Sequence, residues 1–220
     1  MWSPDGKTVF YRSNVKGQPH IYAKSADGSG NEQTVLESND ASEYPSTISP
    51  DQRYLAYVRV ANDRKTGPAI WALPLFGDRK PFPVVLTEFG QGDPVVSPDG
   101  KWLAYDSDTS GRREVYITAF PGASAKWQVS TEGGDVPKWR RDGNELFFHD
   151  PSDNLLAVDV STLRNSVQLG APHVVFHFQA IAGAYDVTAD GKKFLFNSGD
   201  VKEESQPLTL VQNWTAELKK

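Results

Sequence analysis

An all-β fold of repeated antiparallel units is what this 220-residue chain predicts, and three observations predict it. A five-residue phrase, Ser3-Pro4-Asp5-Gly6-Lys7, returns intact as Ser97-Pro98-Asp99-Gly100-Lys101 and in altered form at 49–53, 140–144 and 188–192. The Asp of each copy (Asp5, Asp51, Asp99, Asp142, Asp190) follows its predecessor by 46, 48, 43 and 48 residues. Between the copies lie short runs rich in β-branched and aromatic residues, with no apolar stripe of helical period. Four short strands in a unit of roughly 45 residues is the arithmetic of a β-propeller blade; helix pairs and leucine-rich arrays do not fit it.

The repeated phrase is itself a turn. Pro presets φ at one turn position, Asp can bond neighbouring backbone, and Gly accepts the positive φ that a side chain resists. An alternating apolar strand follows each copy, at 8–12, 54–58, 102–106, 145–149 and 193–197. A second set of strands is expected at 20–24, 69–73, 114–118, 155–160 and 208–213, and a third at 33–37, 83–87, 127–131 and 173–178. The fourth, at 46–49, 95–97, 138–140 and 185–188, stands just before the next turn and is the innermost strand of its blade. On this assignment the blades run 1–43, 44–92, 93–134, 135–182 and 183–220. Tyr11, Tyr57, Tyr105, Phe148 and Phe196 then recur at one place in each blade, as core residues packed between neighbours. No innermost strand is expected before Trp2, and no room remains after Lys220 for the last outermost one. The chain is therefore expected to be the carboxyl part of a longer propeller or a five-unit ring closing imperfectly, with open edge strands able to self-associate.

Composition narrows the function. A net charge of -5 argues against a nucleic-acid binder, which needs a basic stripe to track phosphates. With no cysteine there is no disulfide, no thiolate metal site and no cysteine nucleophile. No apolar run approaches a membrane span, so direct membrane insertion is not expected.

The phrase S-P-D-G-K, a strand, a polar S-x-x-x-G loop, I/V-Y and then a V-L-T or V-S-T strand resembles the WD-like repeat of TolB-type β-propellers, over nearly the whole chain. The tail, Pro207-Leu208-Thr209-Leu210-Val211-Gln212-Asn213-Trp214-Thr215-Ala216-Glu217-Leu218, is similar to the terminus of propellers that some bacteria fuse to eukaryotic-like serine/threonine kinases. The resemblance implies a periplasmic or extracytoplasmic sensor or scaffold that is one part of a larger bacterial protein.

Catalytic patterns are searched for and rejected. Propellers also gate prolyl-oligopeptidase-type hydrolases, but those need a G-x-S-x-G elbow, and 122–126 (G-A-S-A-K) lacks the last Gly. His173 and His177 have helical zinc spacing, yet their segment reads as a strand, where four residues span roughly 13 Å. The stretch 106–111 (D-S-D-T-S-G) opens like a calcium loop but places Ile117 where the bidentate Glu belongs, so no metal and no cofactor are expected. Asn213-Trp214-Thr215 matches a glycosylation acceptor in letters only.

What remains follows from topology. Loops entering each blade and loops following the Tyr or Phe strand share one face of the disc, opposite the repeated turns. The entering loops hold Glu43, Tyr44, Asp93, Asp135 and Tyr185, and the others hold Arg64, Arg112 and Arg113. Binding residues concentrate on loops of rigid scaffolds. No turn chemistry demands Glu43, Asp93 and Asp135 at matching places, so an acidic channel mouth with a basic margin is expected, fit for a protein or peptide partner or a small cationic or polyhydroxyl ligand. The expected function is a non-catalytic binding scaffold; the alternative is the gating or substrate-binding propeller of a prolyl-oligopeptidase-type hydrolase or a glycan-active enzyme.

Overall fold

A computed structural model describes residues 1–14, 19–122, 125–163, 166–177 and 185–196. All eighteen elements within them are strands. The first sheet comprises β1 (Thr8–Ser13), β2 (His20–Ser25) and β3 (Gln33–Leu36); the second, β4 (Ala41–Ile48), β5 (Tyr54–Ala61), β6 (Ala69–Pro74) and β7 (Phe82–Val85). The third is β8 (Gln91–Val96), β9 (Trp102–Ser107), β10 (Glu114–Ala119) and β11 (Lys126–Gln128). The fourth holds β12 (Asp135–Trp139), β13 (Glu145–His149), β14 (Asn154–Leu163), β15 (Ser166–Leu169) and β16 (His173–His177), and the last pair is β17 (Tyr185–Val187) with β18 (Phe194–Phe196). Strands pair antiparallel with sequence neighbours, as in propeller blades.

Each repeated turn is closed by the same bonds. Ser97 Oγ donates to Asp99 Oδ1 at 2.6 Å, the Lys101 amide donates to the same oxygen at 3.1 Å, and the Trp102 amide donates to Ser97 Oγ at 3.0 Å. Ser3 with Asp5, Ser49 with Asp51 and Thr188 with Asp190 repeat this set. In the fourth copy Arg140 replaces the serine and holds Asp142 through two guanidinium nitrogens at 2.8 and 2.9 Å. The hydroxyl bond on Asp5, Asp51 and Asp190 lowers each carboxyl below its usual range, and Arg140 lowers that of Asp142 to about 2. Gln52, where the other copies have Gly, takes φ 58.

Burial follows the sheets in pairs. Phe10, Ile21 and Ala23 of the first sheet pack on Ile48, Leu55, Tyr57 and Leu73 of the second. Ala56, Ile70 and Ala72 on the opposite face of the second meet Val96, Leu103 and Tyr105 of the third. Trp102, Ala104 and Ile117 then meet Leu146, Phe148 and Val158 of the fourth, and Phe147 and Leu155 pack on Tyr185 of the fifth. Because both faces are covered, the middle of β5 and all of β9 are buried without alternation. The recurring aromatics Tyr57, Tyr105 and Phe148 lie in these seams at 1, 2 and 1% exposure.

Three expectations need correction. The innermost strands β4, β8 and β12 begin at Ala41, Gln91 and Asp135, well before 46, 95 and 138, so the entering loops are largely strand. Each carries a register shift, between Pro45 and Thr47, Gly92 and Val95, and Asp135 and Lys138, and such a bulge interrupts the alternation from which strands are read. Second, no innermost strand precedes Trp2, as expected, but the edge of β1 is not fully open: Trp2 bridges Val9, and the Phe10 amide donates to the Met1 carbonyl at 2.8 Å. Third, β14 is ten residues long and carries two outer partners, β15 on its second half and β16 on its first. The strand expected at 208–213, the tail at 207–220 and Asn213-Trp214-Thr215 lie outside the described residues.

Ser97 is 2% exposed, so Ser97→Ala leaves the Trp102 amide buried without its acceptor. The expected cost is about 1–3 kcal/mol, read as a lower urea midpoint at unchanged slope. Gln52→Gly, which removes a side chain from positive φ, is expected to be neutral or stabilising by up to about 1 kcal/mol in the same measurement.

Candidate binding site at the channel mouth

The ends of the blades opposite the repeated turns bring the charged residues together. Between the third and fourth sheets, the start of β8 supplies Asp93, the end of β9 Asp106, the residue before β10 Arg113, the start of β12 Asp135 and the end of β13 His149. A cleft of about 260 Å³ opens there, lined by Arg113, Asp135, His149 and Asp153 among others. Two inner-strand bulges shape it: Asp93 has φ 43 and Val136 φ 48, the latter a conformation that β-branched residues strongly resist. Gly92 leaves room for the pair beside it, since a Cβ there would lie 2.7 Å from Arg113 Nη1 and 2.9 Å from Asp106 Oδ1 and would displace those side-chain ends.

Asp106 is the centre of the cluster and is fully buried. Its Oδ1 accepts from Arg113 Nη1, whereas its Oδ2 receives a hydrogen bond from no group among the described residues. Burial raises its carboxyl to about 7; Arg113 opposes the rise, and Asp93, within hydrogen-bonding reach, and Asp135 add to it. Asp135 is likewise raised, first by burial, with His149 opposing. His149 stands between two carboxylates, Nδ1 3.5 Å from Asp135 Oδ1 and Nε2 3.7 Å from Asp153 Oδ1. Tyr185 is 5% exposed; burial, then Asp135, raises its phenol well above the ordinary value.

The other residues singled out in the sequence divide by burial and partner. Glu43 does not line an open mouth: it is 1% exposed on β4, with Arg59 Nε at 4.0 Å, and burial raises its carboxyl. Tyr44 is 44% exposed and carries the Arg12 guanidinium 4.5 Å above its ring. Arg112 is pinned by Glu114 at 2.6 Å and by the Thr131 carbonyl, so it ties the loop before β10 to the loop after β11 instead of forming a free basic margin. Arg113 points inward to Asp106, and Arg64 stands exposed at the tip of the β5–β6 turn at φ 50, without an ion pair among the described residues. Asp5, Asp51, Asp99, Asp142 and Asp190 serve the turns.

Asp106, weighed in the sequence only as the first residue of a rejected calcium loop, and His149, not singled out there, are the functional candidates that the structure adds. Both directly follow the recurring aromatic, Tyr105 and Phe148, at the strand position where Val58 stands in the second blade. A charged residue at a register that faces a neighbouring blade is the signal that marks them. Among the described residues, no group of three acidic or histidine side chains has metal-binding geometry. The arrangement suits binding of a cation or a proton by carboxylates that lack donors.

Since folding raises the proton affinity of Asp106, the folded protein keeps a proton that the unfolded chain loses above about pH 4. Its contribution to stability therefore falls as pH rises from about 4 to about 7. Asp106→Asn is expected to melt at or below the wild-type temperature near pH 4.5 and above it near pH 8, both about the ends of this window. A difference that stays constant across thermal scans over that range would refute the assignment.

No family model and no curated protein matches the chain. Among solved structures, TolB from Acinetobacter baumannii is similar over 91% of this chain, with 19% identity and a TM-score of 0.69. A TolB from Agrobacterium tumefaciens is similar over 80%, with 20% identity and a TM-score of 0.62, and puromycin hydrolase over 72%, with 14% identity and a TM-score of 0.59. The chain spans 48%, 63% and 28% of these proteins, so it is about half the length of the first. Blade by blade pairing, the repeated Asp turns and these likenesses together give the chain a TolB-like β-propeller fold.

Proposed function

We propose that this propeller is a non-catalytic binding module whose mouth, between the third and fourth blades, engages a protein or peptide partner. The observation that carries the reading is the set of buried carboxylate oxygens there, Asp106 Oδ2 and Asp135 Oδ1, that receive no hydrogen bond among the described residues. Leaving such oxygens unsatisfied costs stability, and a partner that supplies donors removes the cost. Strained inner-strand bulges at Asp93 and Val136 favour the same place, because strain persists where a rigid surround holds it for binding. The reading includes the sensor or scaffold role within a larger, extracytoplasmic protein that the sequence resemblance implies.

A second reading is the propeller portion of a hydrolase, favoured by the likeness to puromycin hydrolase, of which the chain spans a propeller-sized 28%. In that reading the mouth guides substrate and another domain performs the chemistry.

Selection of a displayed random-peptide library on the chain tests the first reading. Enriched peptides are expected to lose at least about tenfold in affinity on Asp93→Arg with Asp135→Arg, a change equivalent to about 1.4 kcal/mol. Enriched peptides that bind this double variant as tightly as wild type would overturn it.

A further inference from the structure

We propose that the mouth takes up an ammonium or guanidinium group, as on a lysine or arginine side chain of a partner, in front of Asp93 and Asp135, and releases in exchange a proton held by the buried Asp106. The inference rests on the mouth reading above and names the chemistry recognised there.

The local charge balance motivates it. Asp93, Asp106, Asp135 and Asp153 face at most two cations, Arg113 and His149. Arg113 engages Asp106 only through Oδ1. Gly92 pairs with Asp106 across β8 and β9, which sets the Asp93 carboxylate next to the buried one. A proton on Asp106 removes one of the crowded charges. Asp106 cannot reach water to ionise cheaply, being fully buried.

The front of the cluster is open. Asp93 is exposed, the Asp135 side chain is 41% exposed, and Gly92 contributes no side chain between them. A cation seated there stabilises the ionised pair, so the proton leaves Asp106 for solvent and the net charge of the site is unchanged. The groups acting on Asp106 are Asp93 from β8, Arg113 from the turn before β10 and Asp135 from β12; Asp135 in turn faces His149 of β13 and Tyr185 of β17. His149 is the other titratable group against Asp135, so its effect is separated from that of the carboxyl pair by its own variant.

Calorimetry of acetyl-Gly-Lys-Gly-amide with the full chain, in two buffers of different ionisation enthalpy, tests the exchange. Near one proton released per peptide is expected at about pH 6 and almost none at about pH 8.5, with affinity rising up to tenfold per unit below about 7. Asp106→Asn is expected to abolish the release, and so is Asp93→Asn, which alters the exposed member of the pair and guards against a folding defect in the first; His149→Gln keeps it. Binding at about pH 6 without proton release, release that survives both Asn variants, or no binding at about pH 8.5 would overturn the proposal. If acetyl-Gly-Leu-Gly-amide or a selected neutral peptide binds the mouth as tightly as the lysine peptide, the exchange is wrong while the mouth reading stands. Loss of all mouth-dependent binding overturns both.

Discussion

Each of the three middle blades presents two apolar faces, and both are buried because another blade stands against each. Leu55 and Tyr57 point to the preceding blade and Ala56 to the following one; Leu103 and Tyr105 with Ala104 repeat the arrangement one blade on. A large residue from one sheet thus meets a small one from the next, which brings the sheets close without a void. In the fourth blade the small position is Phe147, and the seam it forms with the fifth is built from rings: Phe147, Phe176, Phe194 and Phe196. A single blade has no such partner and would leave a face in water, so the fold is cooperative between neighbours.

This packing also dictates where polar groups are difficult to place. At the turn end of the blades, Asp51, Asp99 and Asp142 each accept from a side chain and a backbone amide, and successive turns touch, as Gly100 does beside Pro50. At the mouth end, strands β9 and β13 carry Asp106, one residue before the end of its strand, and His149, the last of its strand. Those side chains are carried into a dry interface by the rigid strands behind them, and only Arg113 offers Asp106 a donor. Asp106, Asp135 and Glu43 all have an oxygen without a hydrogen bond among the described residues, and all stand at this end. The two ends of one scaffold therefore differ in kind: one is closed by its own hydrogen bonds, the other is left with unmet acceptors.

Charge at the mouth is consequently less uniform than a count of loop acids implies. Glu43 has Arg59 at 4.0 Å, an arginine that also takes Asp40 at 2.7 Å, and Glu114 is enclosed by Arg112, Ser130 and the Gly133 amide. These are structural ion clusters tying loops to blades. The uncompensated charge collects at a single seam, between the third and fourth blades.

The sequence by itself determined the repeat, the turn chemistry and the order of strands, because those are local. Ser, Pro, Asp and Gly act within five residues, and short β-branched and aromatic runs carry their own pairing preference. It also determined that Tyr57, Tyr105, Phe148 and Phe196 would pack between blades, since a constant interval from the turn gives a constant register; Tyr11, expected with them, lies on the face of the first blade without a preceding one and bonds Glu32 at the surface. The acids it marked as matching, Glu43, Asp93 and Asp135, stand eight, six and seven residues before the turn Asp of their copies and share neither a register nor an environment. Whether a carboxylate there meets Arg59, a buried neighbour such as Asp106, or a histidine depends on the adjoining strand and the adjoining blade. The inner-strand bulges at 92–95 and 135–138 turn the side chains of Asp93 and Asp135 by an amount no alternation pattern encodes. Burial, hydrogen-bond supply and charge balance are properties of groups brought together across the seam, and only the tertiary structure decided them.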